Sequence, residues 1–124
     1  MNKLNCAVIG LGVGEKHIES YLSHKDCTLK AVCDFNSTKL KEIKNKHTNI
    51  YTTKDANEII NSKEIDVISI ASYDNYHSEQ IISSLDNKKH IFVEKPICQK
   101  KDEFENIISA VKRNPELKLS SNLI

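Results

Sequence analysis

The sequence predicts an α/β domain built on a doubly wound parallel sheet, and three observations carry the prediction. Short apolar runs of strand length alternate with stretches of helical periodicity from one end of the chain to the other. The first run opens directly into Gly10-Leu11-Gly12-Val13-Gly14, and the second closes on Asp34. The fourth, Val67 to Ala71, is apolar apart from Ser69, as a strand covered by helices on both faces should be.

The elements follow in order. Cys6 to Ile9 is the first strand, and Ile18, Tyr21 and Leu22 recur at helical spacing after it. Leu29 to Cys33 is the second strand. Leu40, Ile43 and His47 mark the second helix, with Asn36, Ser37 or Thr38 as its cap. Ile50 and Tyr51 predict a short third strand, and Asp55 to Ile60 a short helix with Ile59 and Ile60 facing inward. After the fourth strand, Ser78, Ile81, Ile82 and Leu85 follow the i, i+3, i+4, i+7 rule. Ile91 to Val93 is the fifth strand. Phe104, Ile107, Ile108 and Val111 predict a last helix, stopped near Asn114-Pro115, and Leu117 and Leu119 alternate with polar residues as a sixth strand. No linker, repeat or low-complexity stretch divides the chain, so one domain is expected over 1–124. That strand runs into Asn122-Leu123-Ile124 with no closing helix, the ending expected of a fragment or of a chain cut at a domain boundary. A complete small protein is the alternative.

Composition narrows the class. The chain of 124 residues is 39% hydrophobic and 28% charged, which reads as globular. Eighteen basic residues stand against 17 acidic ones, so charge offers no argument for nucleic acid or a membrane surface as partner. The apolar runs fall far short of the roughly 20 residues a bilayer span needs, and Met1-Asn2-Lys3-Leu4 is not a signal-peptide pattern. Cys6, Cys27, Cys33 and Cys98 lack the close spacing of a zinc site or disulfide framework, so no metal is expected, and reduced thiols in a cytoplasmic protein are.

Three motifs suggest chemistry. In the glycine turn, a first glycine permits a tight bend and a second lets the backbone approach a pyrophosphate. The following helix offers unpaired N–H groups to the phosphates. The usual spacing is GxGxxG, whereas here the third glycine comes one residue early and Glu15 holds its expected place. A purely structural turn is the alternative. Asp34 follows Gly14 by 20 residues, where a carboxylate can accept both ribose hydroxyls of an adenosine and disfavours a 2′-phosphate. No arginine follows it, and Lys39 is the nearest cation; an Asp34-Phe35-Asn36-Ser37 turn explains the same residues without a ligand. Glu94-Lys95-Pro96 comes straight after the fifth strand, at the sheet edge where open α/β folds bind ligands. Lys95 can bond a substrate hydroxyl and assist proton transfer, or be a solvated lysine before a turn proline.

The run Ile70-Ala71-Ser72, His77-Ser78-Glu79-Gln80 and Lys89-His90-Ile91-Phe92-Val93-Glu94-Lys95-Pro96 resembles the Gfo/Idh/MocA oxidoreductases, the glucose–fructose oxidoreductase and inositol dehydrogenase family. Ala7-Val8-Ile9-Gly10-Leu11-Gly12 and Ala31-Val32-Cys33-Asp34 match the family's opening, so the resemblance covers essentially the whole chain. It implies a Rossmann-type NAD(P)-binding domain, and the acid at Asp34 favours NAD over NADP within it. Gly10, Leu11, Gly12, Val13 and Gly14 would hold the pyrophosphate, with Asp34 and Phe35 at the adenosine ribose. Ala71, Ser72 and Tyr73 would line the cofactor, and Asn75 and His77 would contact it from the start of the helix that follows the fourth strand. Glu94 would lie near the nicotinamide ribose, and Lys95 would be the catalytic lysine. The loop Ser72-Tyr73-Asp74-Asn75 lacks the Thr-Pro common in the family.

The resemblance further implies oxidation of a secondary alcohol of a sugar or cyclitol, in a homo-oligomeric enzyme. A second domain would supply the substrate pocket and an Asp and a His beside the lysine. His47 and His90 do not substitute for these, lying at a helix end and a strand start. Two rival functions stand beside this one. The chain could be a dinucleotide-sensing module without catalysis, or a doubly wound domain for another nucleotide or none.

Overall fold

The computed structural model describes residues 3–122. The elements are β1 (Leu4–Ile9), α1 (Glu15–Ser23), β2 (Cys27–Cys33), α2 (Ser37–Lys46), β3 (Tyr51–Thr53) and α3 (Ala56–Ile60). They continue as β4 (Val67–Ile70), a 3₁₀ turn (Asp74–Tyr76), α4 (His77–Asp86), β5 (His90–Val93), α5 (Lys101–Arg113) and β6 (Leu119–Ser121). The strands form one sheet in the order β3-β2-β1-β4-β5-β6, and every pairing is parallel. The sequence direction reverses between β1 and β4. The ligand crevice of such sheets opens at that point, beyond the carboxyl ends of the strands.

Alternation along β1 builds two cores. Ala7 and Ile9 face a layer holding Ile59, Ile60, Ile81, Leu85 and Ile107 from α3, α4 and α5. Val8 faces the opposite layer, with Ile18 of α1 and Leu40 and Ile43 of α2. Burying branched side chains on both faces of the central strands supplies the main drive for folding, at about 25 cal/mol per Å² removed from water. Ser69, the polar exception in β4, is buried and shares a 2.6 Å hydrogen bond with the hydroxyl of Tyr21.

Local signals set the helix starts. Asn36 caps α2, its side chain accepting from the N–H groups of Thr38 and Lys39. Asp55 caps α3 by accepting from Asn57. Two helix faces differ from the periodic expectation. Leu22 of α1 is exposed, and the inward positions there are Ile18 and half-buried Tyr21. On α5 the buried stripe is Ile107 and Ala110, whereas Phe104 and Ile108 lie exposed. That helix packs at the flank of α4, so only a narrow strip of it meets other atoms. The expected run of the sixth strand past Asn122 lies outside the described residues. Among the described residues, no helix is long and apolar enough to cross a membrane, and no three His, Cys, Asp or Glu side chains are placed to hold a metal ion.

Candidate functional site

A cleft of about 820 Å³ opens at the carboxyl edge of β1, β2 and β4. Its size suits a small-molecule cofactor. Each part of its floor traces to a local cause. The N–H of Gly10 donates to the Cys33 carbonyl, so the turn starts fastened to β2. Gly10 has φ +93°, and a Cβ there would run into the backbone of Ala71 and Ser72. Only glycine fits that bend.

The other two glycines divide their work. A Cβ on Gly12 would meet nothing within 4 Å, so that backbone faces open cleft. Among the described residues, the N–H groups of Gly12 and Val13 have no main-chain partner. Two free donors at a helix start are what an anion needs. Gly14 is different. A Cβ there would collide with the Gly10 carbonyl and crowd Val8 and Ala71 at 2.9 and 3.1 Å. It does not line the cleft. The glycine spacing puts all three glycines at the pyrophosphate; in the structure Gly14 stands back from the cleft, and its missing Cβ lets α1 settle against Val8 and Ala71.

Asp34 reaches under the turn. Its Oδ2 accepts the Leu11 N–H at 2.6 Å and its Oδ1 accepts the Asn36 N–H at 2.8 Å. A carboxylate has about four lone-pair directions, so acceptor capacity is left for hydroxyl donors. Lys39, in the first turn of α2, pairs with Glu15 at the start of α1 (3.2 Å), and Lys54 lines the same cleft. Val13, Phe35 and Tyr73 line the cleft, and all three are well exposed, which gives it apolar surfaces against which flat rings can lie. The Phe35 ring leans toward Tyr76 with centroids 6.0 Å apart. Ala71 and Ser72 complete the wall from β4; the Ser72 hydroxyl donates to Gln80 at 2.6 Å.

The remaining sequence-selected residues lie off the cleft. Asn75 is exposed on the 3₁₀ turn and does not line it. His77 is buried, with Nδ1 2.6 Å from the Pro96 carbonyl and Nε2 2.9 Å from the Ser72 carbonyl. It is therefore not turned toward the cleft, because both ring nitrogens are engaged by backbone oxygens. Glu94 and Lys95 sit further along the same edge, beyond β5. Glu94 Oε1 meets His17 Nε2 at 2.8 Å, and its Oε2 accepts from Asn122 at 3.2 Å. Burial pushes the Glu94 carboxyl up, but the hydrogen bonds from His17 and Asn122 and the charges of His17 and Lys95 outweigh it, so the carboxyl sits below its ordinary range. Lys95 is exposed, and the Lys95–Pro96 peptide is cis.

Sequence reasoning missed His17. It lies three residues after Gly14, on the first turn of α1, and its ring packs edge-on to Phe92 at 5.4 Å. The four cysteines are free, Cys6 and Cys33 being buried. Burial, helped by neighbouring Asp34, Asp55 and Glu58, pushes the Cys33 thiol up to about 12. It lines the cleft wall as a neutral thiol rather than a nucleophile.

Comparison with known proteins adds a lineage to this geometry. Residues 4–122 match the family model described as an oxidoreductase family with an NAD-binding Rossmann fold, GFO_IDH_MocA. Among curated proteins, the myo-inositol 2-dehydrogenase of Thermotoga maritima is 32% identical over 89% of the chain and 33% of its own length. The NADP(+)-using scyllo-inositol 2-dehydrogenase of Bacillus subtilis is 31% identical over 87% of the chain and 33% of its own. Among solved structures, apo scyllo-inositol dehydrogenase from Lactobacillus casei superposes with a TM-score of 0.91. It is 24% identical, and the match covers 98% of this chain and 37% of that one. The chain thus spans about a third of the length of the curated relatives it matches.

Proposed function

The chain belongs to the Gfo/Idh/MocA oxidoreductase family, and from that premise we propose that it is the dinucleotide-binding domain of a two-domain dehydrogenase. Its substrate class is a secondary alcohol of a sugar or cyclitol, in keeping with the inositol dehydrogenases among its relatives. The observation that carries the reading is the arrangement around Gly12. Open backbone and two free N–H donors lie beside a carboxylate that keeps acceptor capacity. The cleft therefore matches a group with a diphosphate next to a ribose diol.

The residues divide the labour accordingly. Gly12 and Val13 hold the diphosphate through their N–H groups, while Gly10 and Leu11 shape the turn that presents them. Asp34 accepts from the adenosine ribose, and Phe35 flanks the base. Asp34 favours NAD over NADP, since a 2′-phosphate would meet its carboxylate. Ala71, Ser72 and Tyr73 border the cofactor's middle. When bound, the nicotinamide supplies the hydride-accepting carbon. Lys95 bonds the substrate hydroxyl and helps its proton depart, and Glu94 sets the approach to that end of the site. The substrate pocket and further proton-transfer groups come from a second domain. By the same reading the enzyme is a cytoplasmic homo-oligomer, with the four free cysteines as support for a reducing compartment.

Titration of the chain with NADH tests the core of this. Enhanced, blue-shifted nicotinamide fluorescence that saturates is expected. Unchanged fluorescence at millimolar protein refutes the dinucleotide assignment.

A further inference from the structure

Resting on the assignment of Lys95 to the nicotinamide end, we propose that His17 and His77 are positioning residues that hold the Glu94-Lys95-Pro96 turn from its two sides. Each histidine reaches the turn from a different helix. His17, on α1, meets the Glu94 carboxylate at 2.8 Å. Both partners are only 14% exposed, so water competes little for the bond. Asn122 takes the other Glu94 oxygen, and the Glu94 N–H donates to Ile70 at 2.8 Å. His77, at the start of α4, is 1% exposed and touches the Pro96 carbonyl at 2.6 Å.

The residue before the lysine and the residue after it are thus both fastened. Lys95 itself is exposed, and its amino group has no hydrogen-bond or ion-pair partner among the described residues. Holding both neighbours while leaving the working side chain free is how a supporting shell presents a reactive group. His77 does a second thing. Its other nitrogen, 2.9 Å from the Ser72 carbonyl, ties the loop after β4 to the loop after β5. A neutral imidazole has one N–H to donate, and the doubly protonated ring donates to both carbonyls. In either state the ring fills the gap between the two loops. His17 lies just three residues past Gly14, so the helix that begins at the diphosphate site also braces the lysine's turn.

The test uses His17→Ala, His17→Gln and His77→Gln. The first readout needs no nucleotide: the ¹⁵N order parameter of the Lys95 amide. It should drop from about 0.85 to below about 0.6 in His17→Ala and His77→Gln, with β1 amides unchanged. In His17→Gln, whose amide can still donate to Glu94, it should recover most of the loss. The second readout compares two ligands. The dissociation constant for NADH should rise about tenfold in His17→Ala, as when a contacting group is held off its place, while that for ADP stays within about twofold. An unchanged order parameter overturns the proposal. So does equal weakening of NADH and ADP, which would mark a general loss of structure. If the parent chain binds no NADH, the cofactor assignment fails, and the order parameter still decides whether the histidines hold the turn.

Discussion

Substituting Gly12 and Gly14 separately by alanine should split ligand binding from folding. At Gly14 the new methyl would collide with the Gly10 carbonyl and sit 2.9 Å from Val8 Cγ1 and 3.1 Å from Ala71 Cβ. Overpacking costs about 1–3 kcal/mol where side chains can yield, and here the first obstacle is backbone, so we expect about 3 kcal/mol. At roughly 4 °C per kcal/mol for a domain of this size, the melting midpoint should fall roughly 12 °C. At Gly12 the methyl would meet nothing within 4 Å. Reduced freedom of the unfolded chain should leave stability unchanged or raise it by about 0.5 kcal/mol. The same methyl would stand where the diphosphate approaches, so the Kd for NADH should rise by about tenfold or more, ~1.4 kcal/mol at least. Thermal unfolding followed by circular dichroism, paired with NADH fluorescence, reads both effects. If Gly14→Ala melts within a degree or two of the parent, or Gly12→Ala binds NADH normally, the division of labour in the turn is wrong.

Other consequences can be checked in the same way. Asp34→Ala should weaken NADH about tenfold and NADPH by less, because both lose the support of the Leu11 N–H but only NADH loses the ribose acceptor; an unchanged ratio of the two affinities would exclude that role. Cys6 and Cys33 are buried, and burial is the main cause that pushes both thiols up to about 12. With Ellman's reagent at pH 8, Cys27 and Cys98 should react in the folded protein and the other two only after denaturation; four fast thiols would contradict the burial. Hydrogen bonds from Arg113 lead the effects that hold the Asp86 carboxyl below its ordinary range, against a smaller upward push from burial. A depressed folded value means stability present above the ordinary carboxylate range and lost as pH falls through the folded value. The pair is solvent-exposed, so its share is under about 1 kcal/mol. The midpoint gap between the parent and Asp86→Asn should therefore narrow as pH falls from 7 through the carboxylate range, and a constant gap would show that the ion pair contributes nothing.

The alternation of apolar runs and helical periods carries the fold in one dimension, because the sheet is parallel and its strands are covered on both faces. The acid ending β2 and the lysine after β5 were legible for the same reason: topology alone puts strand ends on one edge. What spacing does not carry is which way a residue looks once it gets there. Gly12 and Gly14 are two positions apart, yet one faces the cleft and the other its own turn. Phe104 and Ile108 satisfy the helical period, but the stripe that packs is set by where α4 lies. His17 and Glu94 are 77 residues apart, so their contact has no local signature. A histidine at a helix start such as His77 is ordinarily solvated, and its burial follows from two loops closing over it.

The Asp34 carboxylate does not wait for a nucleotide to find work: it already holds the Leu11 amide and, through Asn36, the start of the next helix. With the ribose role proposed for Asp34, recognition and the shape of the glycine turn become one degree of freedom. Redesign toward the phosphorylated dinucleotide by exchanging this one residue would unfasten the loop that must seat the diphosphate. Any successful switch has to bring a replacement acceptor for the Leu11 N–H along with the new positive charge. On the proposed assignment, the side chain that would tell the two dinucleotides apart is also a strut of the turn.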